Sequence, residues 1–499
     1  MQPKLVLDAA AKEFLALTFQ DVRLRTNYSA VMPQLVNTSS KFSKRVPLNV
    51  PIVSAAMDTV TEWQMAVAIA KEGGLGVIHR FLAPKEQASQ VRRVKLFMNG
   101  RIDKPITVNP HQTIAEIEQY RRSKGFEFQS FPVVVMVGGT EHLEGIVTRN
   151  DVDLASGNEL VAKAMTRQVV TGSPDIAMQQ AYDLMREHKI KVLPLVTGDK
   201  VLVGMYVASD LRRILSADVQ LYNTDDENRL RVGAAIGTGP EALERVGLLV
   251  DAHVDVVVID TAHGDSKPVY ETLAAIKREF DIDVVVGNIS ERESARRLID
   301  AGADGLKVGQ GGGSICTTRI VTGIGCPQVS AVYACAQAVE DLDVPICSDG
   351  GIAYSGDIPI AIGAGAHSVM LGRLLAGAVE APGETFLRGE VRYKRFRGMG
   401  SESAMNENVA SRNRYGQEGV EANRRVPEGV DAAVPCEETA AVLLARYVGG
   451  LKGAMGYVGA PSIAALRDQA QFHRVTPAGM AESHPHDVLM LNDAPNYRK

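Results

Sequence analysis

The chain has 499 residues, 45% hydrophobic and 23% charged, with a formal net charge of −5. This ordinary globular balance allows one large domain and a smaller one, and it leaves no basic field to draw the protein to nucleic acid or a membrane surface. Its apolar stretches fall short of a membrane span, acids come too early in MQPKLVLDAAAKEF for a signal peptide, and five scattered cysteines without CxxC spacing argue against a disulfide framework or a zinc site. A reducing cytoplasm is the expected location.

In chain order, the first β-branched apolar runs are VPLNVPIVSAAMD and LGVIHRF. After an interruption come LRVGAAIGT, VDVVVIDTAHGDS, IDVVVGNIS, DGLKVGQGGGSIC, VPICSDGG and HSVMLGRLLAG. Continuous apolar runs suit strands buried on both faces. Amphipathic segments between the later ones, such as EALERVGLLVDA and SERESARRLIDAGA, predict helices and therefore a parallel sheet. Eight such units predict an α/β fold of the closed (β/α)8, or TIM-barrel, type, with a doubly wound open sheet as the alternative.

The interruption divides the chain into a first barrel part at 1–100, an insert at 101–216 and a second barrel part at 217–499. The insert reads as two similar halves, about 101–160 and 161–216, each predicted as strand, helix, strand, strand and then an acid near a helix start. Those acids are Asp151 in LEGIVTRNDV and Asp210 in LVGMYVASDL. Near the end of the barrel part, residues 398–435 are polar, rich in Gly and Asn, and too long for a passive connection. A mobile flap is expected there.

The sharpest chemical signal is the loop at about 309–319, which runs Gly309-Gln310-Gly311-Gly312-Gly313-Ser314-Ile315-Cys316-Thr317-Thr318 after the strand GLKV. Glycines let a backbone turn tightly and approach a ligand closely. A thiol at the C-terminal end of a barrel strand stands where this fold carries its catalytic groups. A lone cysteine after a glycine loop is more often a small buried hydrophobe. Its company decides otherwise. Cys326, Cys335, Cys347 and Cys436 read as packing or surface residues.

VSAAMDTVTE, DTAHGDS, VGQGGGSICTTR, SDGGI, SGDI, EAPGE, RGMGS, NRY, VPEG and ESHPHD occur in the order found in the IMP dehydrogenase / GMP reductase family, and in IMP dehydrogenases particularly. The chain resembles that family over nearly the whole barrel, and the insert resembles its tandem CBS motifs. The resemblance implies NAD-dependent oxidation of IMP to XMP through a thioimidate on Cys316. Thr318 would orient the water that releases the adduct, with Arg414 as its base and Tyr415 beside it. An arginine base is unusual, because a guanidinium's solution pKa is far too high.

The same resemblance implies IMP contacts at Met57, Ser314, Asp349, Gly350, Gly351, Gly372, Arg373 and Glu428, and along Phe396, Arg397, Gly398, Met399 and Gly400. It implies dinucleotide contacts at Asp260, Thr261, Asn288, Gly309, Gln310 and Gly311. A potassium ion is implied on the carbonyls of Gly311, Gly313 and Cys316, completed by Glu482, Ser483 and His484 of a neighbouring subunit. The CBS pair implies purine nucleotide effectors with Asp151 and Asp210 as ribose contacts. The implied assembly is a homotetramer, with an octamer through CBS contacts as the alternative, and neither membrane nor nucleic acid is among the implied partners.

Three positions depart from the family pattern. Arg373 stands where Ser is common, Phe396 where Tyr is common, and Gly312 where Pro or Ser is frequent. Arg373 either offers a guanidinium fork to the phosphate or points away. GMP reductase, which shares the barrel and the cysteine loop, is the rival reading. Arg414-Tyr415 and the long flap favour the dehydrogenase, since hydrolysing the adduct needs an activated water. A silent nucleotide sensor working through the CBS pair is the third reading, opposed by the intact Cys316, Thr318, Arg414 and Tyr415.

Overall fold

All eight apolar runs become strands, and together they close a parallel barrel in the order β3-β4-β5-β6-β7-β8-β1-β2. The strands are β1 (Ile52–Ser54), β2 (Leu75–Ile78), β3 (Val232–Ile236), β4 (Val256–Asp260), β5 (Asp283–Ile289), β6 (Gly305–Val308), β7 (Ile346–Asp349) and β8 (Ser368–Leu371). This computed structural model describes residues 4–97, 101–102, 104–124, 130–215, 221–436, 438–491 and 497. Every residue of β4 and β5 is buried, which is why these strands read as unbroken apolar runs. Closure is made by β8 on β1, with Val369 opposite Ile52 and Leu371 opposite Ser54.

The helices between the strands are α1 (Trp63–Lys71), α2 (Pro84–Leu96), α3 (Pro240–Asp251), α4 (Lys267–Glu279), α5 (Arg292–Asp300), α6 (Gln328–Ala338) and α7 (Asp357–Ala364). In α5, Ser294, Ala295 and Leu298 face inward, one stripe of a helix that packs on the sheet. Because the strands are parallel, their C-terminal ends emerge at one mouth. Asp260, Ile289, Val308 and Asp349 all end strands there.

Residues 398–435 are not a structureless loop. They contain two six-residue helices, α8 (Glu402–Glu407) and α9 (Val409–Arg414), and a strand at Asp431–Pro435. Ser401 accepts from the amide of Ala404, and Asn408 from that of Ala410. These side-chain caps start helices too short to show a periodic pattern. The strand pairs antiparallel with Val391–Arg397, placing Phe396 opposite Ala432. Helix α10 (Ala440–Val458) then packs against both α7 and α1, filling the eighth place of the outer ring.

Contacts divide the chain into Met1–Phe97 with Leu221–Lys499, and Met98–Gln220. Of the expected boundaries, residue 100 and the 216/217 junction lie outside the described residues. Within the smaller unit, Phe131–Val137 and Thr140–Val147 form one hairpin, and Val192–Val196 and Leu202–Val207 another. Helix Ile114–Lys124 precedes the first hairpin and helix Met178–Glu187 the second. Arg101–Ile102 pairs with the second half's strand Leu202–Val207, so the division into halves does not follow chain order there. Asp151 accepts from the amide and hydroxyl of Thr148, each at 2.8 Å, and Asp210 lies in the first turn of helix Ala208–Leu215.

Candidate active site

The cysteine loop begins where β6 ends, at a residue that must be glycine. Gly309 has φ +148°, and a Cβ there would run into the carbonyl oxygen of Asp349 and come within 2.8 Å of the Gln328 amide oxygen. The loop then turns back, with the Cys316 amide donating to Gly313 O at 3.1 Å. The Cys316 thiol donates to Thr318 Oγ1 at 3.1 Å. Glu428 to Val430, from the end of the flap, run beside this loop. The Thr317 amide donates to Glu428 O and the Val430 amide to Ile315 O, both at 3.0 Å.

Cys316, Thr318, Arg414 and Tyr415 all line one cavity of about 860 Å³ at the mouth of the barrel. So do Met57, Ser314, Asp349, Gly350, Gly351, Gly372, Arg373, Phe396, Gly398, Met399 and Glu428, together with Asp260, Asn288, Gly309, Gln310, Gly311 and Gly313. Residues as far apart in sequence as Met57 and Glu428 are thus brought to one space. Three expected contacts stand apart. Thr261 donates through its amide and hydroxyl to Gly287 O and faces a neighbouring cavity. Arg397 is taken up by ion pairs with Asp58 and with Glu407, the latter at 2.6 Å. Gly400 lies under the ring of Tyr415, where a Cβ would approach the ring within 2.6 Å. Each supports the cavity wall or the flap instead of lining the space.

Glu482, Ser483 and His484 end a short helix and its cap and do not line this cavity; the His484 ring lies 3.0 Å from Tyr497 Oη and edge-on to Tyr354. Arg373, the departure from the family pattern, donates from Nη2 to Ala353 O at 2.9 Å while lining the cavity.

In the cavity wall runs a charge network that the motifs did not announce. Lys307, inside β6, ion-pairs with Asp260 at 3.0 Å and with Asp349, and donates to Asn288 Oδ1. Asn288 donates in turn to Gly309 O at 2.7 Å and to Asp349 at 2.9 Å. Arg414, descending from the flap, ion-pairs with Asp260. Burial pushes the Asp260 carboxyl up, but Arg414 and Lys307 more than offset it and hold it well below the usual carboxylate range. Burial likewise lowers Arg414 and Lys307, while the two aspartates overcome this and raise both above their ordinary values. Burial also raises the Tyr415 hydroxyl. The one sequence signal for this network was a lysine inside an otherwise apolar barrel strand, since a buried lysine needs paired acids.

Gln310 extends the polar wall. Its amide nitrogen lies 3.3 Å from Ala262 O, and its oxygen accepts from Ser290 Oγ at 2.7 Å. Chemically the cavity combines a thiol nucleophile, a hydroxyl beside it, a row of glycine amides and a carboxylate network suited to ribose hydroxyls.

Residues 16–486 match the family described as "IMP dehydrogenase / GMP reductase domain". The chain is 46% identical to the inosine-5'-monophosphate dehydrogenase of Aquifex aeolicus over 486 residues, 96% of this chain and 97% of that one. It is 42% identical to that of Helicobacter pylori over 484 residues, 97% and 98% of the two chains. Among solved structures it is similar to a cysteine-to-alanine variant of GMP reductase from Trypanosoma brucei in complex with guanosine 5'-monophosphate, with TM-score 0.86, 38% identity, and coverage of 95% of this chain and 98% of that one. The full-length match, together with a cysteine loop, flap and aspartate network in one barrel mouth, makes this chain a member of the IMP dehydrogenase / GMP reductase family.

Proposed function

We propose that the chain oxidises IMP to XMP with NAD+, and the observation that carries the reading is Cys316 held beside Thr318 in a cavity also lined by Arg414 and Tyr415. Cys316 gives up its thiol proton to solvent as Sγ bonds to C2 of IMP, and C2 gives its hydride to the nicotinamide. The resulting thioimidate is released when water attacks C2 and the C–S bond breaks, returning the thiol. Dividing the reaction into redox and hydrolysis is the advantage of a covalent intermediate. The Asp349 loop and the amides about Gly350, Gly351 and Gly372 serve the ribose phosphate, and Glu428 serves the edge of the base.

Asp260 and Asn288, which line the cavity with Gln310, serve the dinucleotide ribose. Arg414 occupies Asp260 in this structure, so flap and dinucleotide compete for one carboxylate. The flap therefore belongs to the hydrolytic half of the cycle. Held by Asp260, Arg414 is kept protonated; taking a proton from the water requires that pairing to loosen.

Potassium fits the loop in one respect: among the described residues, the carbonyls of Gly311 and Cys316 accept no hydrogen bond, and carbonyls without formal charge suit a monovalent ion. Gly313 O also receives the Cys316 amide. Glu482 to His484 of a second copy would complete the ring, within a homotetramer. The smaller unit is read as the CBS pair, with Asp151 and Asp210 as its purine nucleotide contacts.

The rival, reduction of GMP by NADPH, is favoured by the similarity to the T. brucei GMP reductases at 38% and 35% identity. Incubation with IMP and NAD+, and separately with GMP and NADPH, with product identification by mass, decides between them. XMP and NADH from the first mixture and no reaction in the second are expected; IMP and ammonia from the second alone would overturn the reading.

A further inference from the structure

Arg80 follows β2 at the barrel mouth and is 8% exposed. Among the described residues none of its nitrogens has a hydrogen-bonding or ion-pair partner, and its Nε is fully enclosed. Its Nη1 lies against Gly237, where a Cβ would run into it. An enclosed Nε–H without a partner is costly, while the outer end of the guanidinium reaches a cavity.

A second cavity, of about 520 Å³, lies between Arg80, Gly237 and Thr261 of the barrel and Asn413 and Gly416 of the flap. Arg80 thus stands at the seam where the flap meets the barrel, across a cavity from the two flap residues that flank Arg414-Tyr415 in sequence. The charges acting on it most are Arg414, which repels it, and Asp260, which attracts it; burial, then Arg414, bring its pKa down to about 10. Arg245 and Glu241 also act on Arg80 but pair with each other at 3.3 Å; beside that pair, with the flap down, stand three cations, Arg80, Lys307 and Arg414, against two acids, Asp260 and Asp349. Withdrawing Arg414 leaves two against two.

We propose that Arg80 is a positioning residue that, by repelling Arg414, sets how readily the flap yields Asp260 to the dinucleotide. The proposal rests on the reading above of Asp260 as the carboxylate contested by flap and dinucleotide. Removing the Arg80 charge leaves Arg414 more firmly seated, so the dinucleotide must displace a tighter competitor.

The test is the NAD+ dependence of pre-steady-state NADH formation at saturating IMP, for Arg80→Met and Arg80→Lys in the wild-type and Arg414→Ala backgrounds. Arg80→Met should raise the half-saturating NAD+ concentration about tenfold and leave that of IMP unchanged. Arg80→Lys should restore the wild-type value within about twofold, and in the Arg414→Ala background Arg80→Met should have no effect. An unchanged NAD+ dependence in Arg80→Met overturns the proposal. So does an equal rise in both backgrounds, which would mean that Arg80 meets the dinucleotide itself. Should Arg80→Met fail to fold, Arg80→Gln is read by the same two comparisons. Failure of the wild-type protein to oxidise IMP would instead strike the functional reading.

Discussion

Of the three expected departures from the family pattern, Arg373, Phe396 and Gly312, Arg373 is the one that alters charge. One nitrogen of its guanidinium is tied to Ala353 O while the side chain remains exposed at the cavity wall. An exposed cation contributes less than a desolvated fork would, because water screens it. Arg373→Ser should therefore raise KM for IMP about fivefold, with kcat nearly unchanged, the mark of binding lost equally in ground and transition states. The difference from wild type should shrink as salt is raised. Steady-state kinetics at two ionic strengths checks this; an unchanged KM would place the guanidinium's role in the Ala353 contact alone.

Among elements, the flap has the most specific mechanics. Helix α9 delivers Arg414 to Asp260 and leaves the Tyr415 ring over Gly400. Arg397, through Asp58 and Glu407, ties the base of the flap to β1's loop and to α8. A methyl at position 400 would meet the ring within 2.6 Å, a distance that forces the ring or the flap to move. Gly400→Ala should slow hydrolysis of the adduct about tenfold or more while hydride transfer proceeds. The readout is a burst of NADH of about one per site followed by slow turnover. A uniform fall in both phases would show that Gly400 supports the fold generally and not the flap's catalytic pose.

On the scale of the whole molecule, the chain entering and leaving the insert is fastened to the barrel. Lys95, at the end of α2, ion-pairs with Asp225 at 3.0 Å and Asp255 at 2.6 Å, and Asn49 donates to Leu221 O and Tyr222 O. Replacing residues 98–220 by a short Gly-Ser linker should accordingly leave IMP oxidation within about threefold of wild type. Loss of activity with the barrel still folded, judged by circular dichroism and thermal melting, would contradict that division. The barrel was legible because each strand is a short apolar run buried on both faces, and such runs stand out without long-range information. The cysteine loop was legible because glycines at Gly309 and Gly311 are demanded by local backbone geometry. The Lys307 network was not, since its acids lie on other strands and only closure brings them together. Nor were α8 and α9, whose six residues depend on caps and tertiary packing. The direction of the Arg373 side chain is likewise set by a carbonyl 20 residues away.

The central claim is that Cys316 forms the covalent intermediate and that Arg414 serves its release. Arg414→Ala protein mixed with IMP and NAD+, quenched in acid and examined by intact and peptide mass, tests both at once. An adduct adding the mass of IMP less two hydrogens, the C2 hydride and the thiol proton, is expected on the peptide carrying Cys316, formed with about one NADH per site and absent from Cys316→Ala. Continued XMP production by Cys316→Ala, or an adduct on another residue, would contradict it.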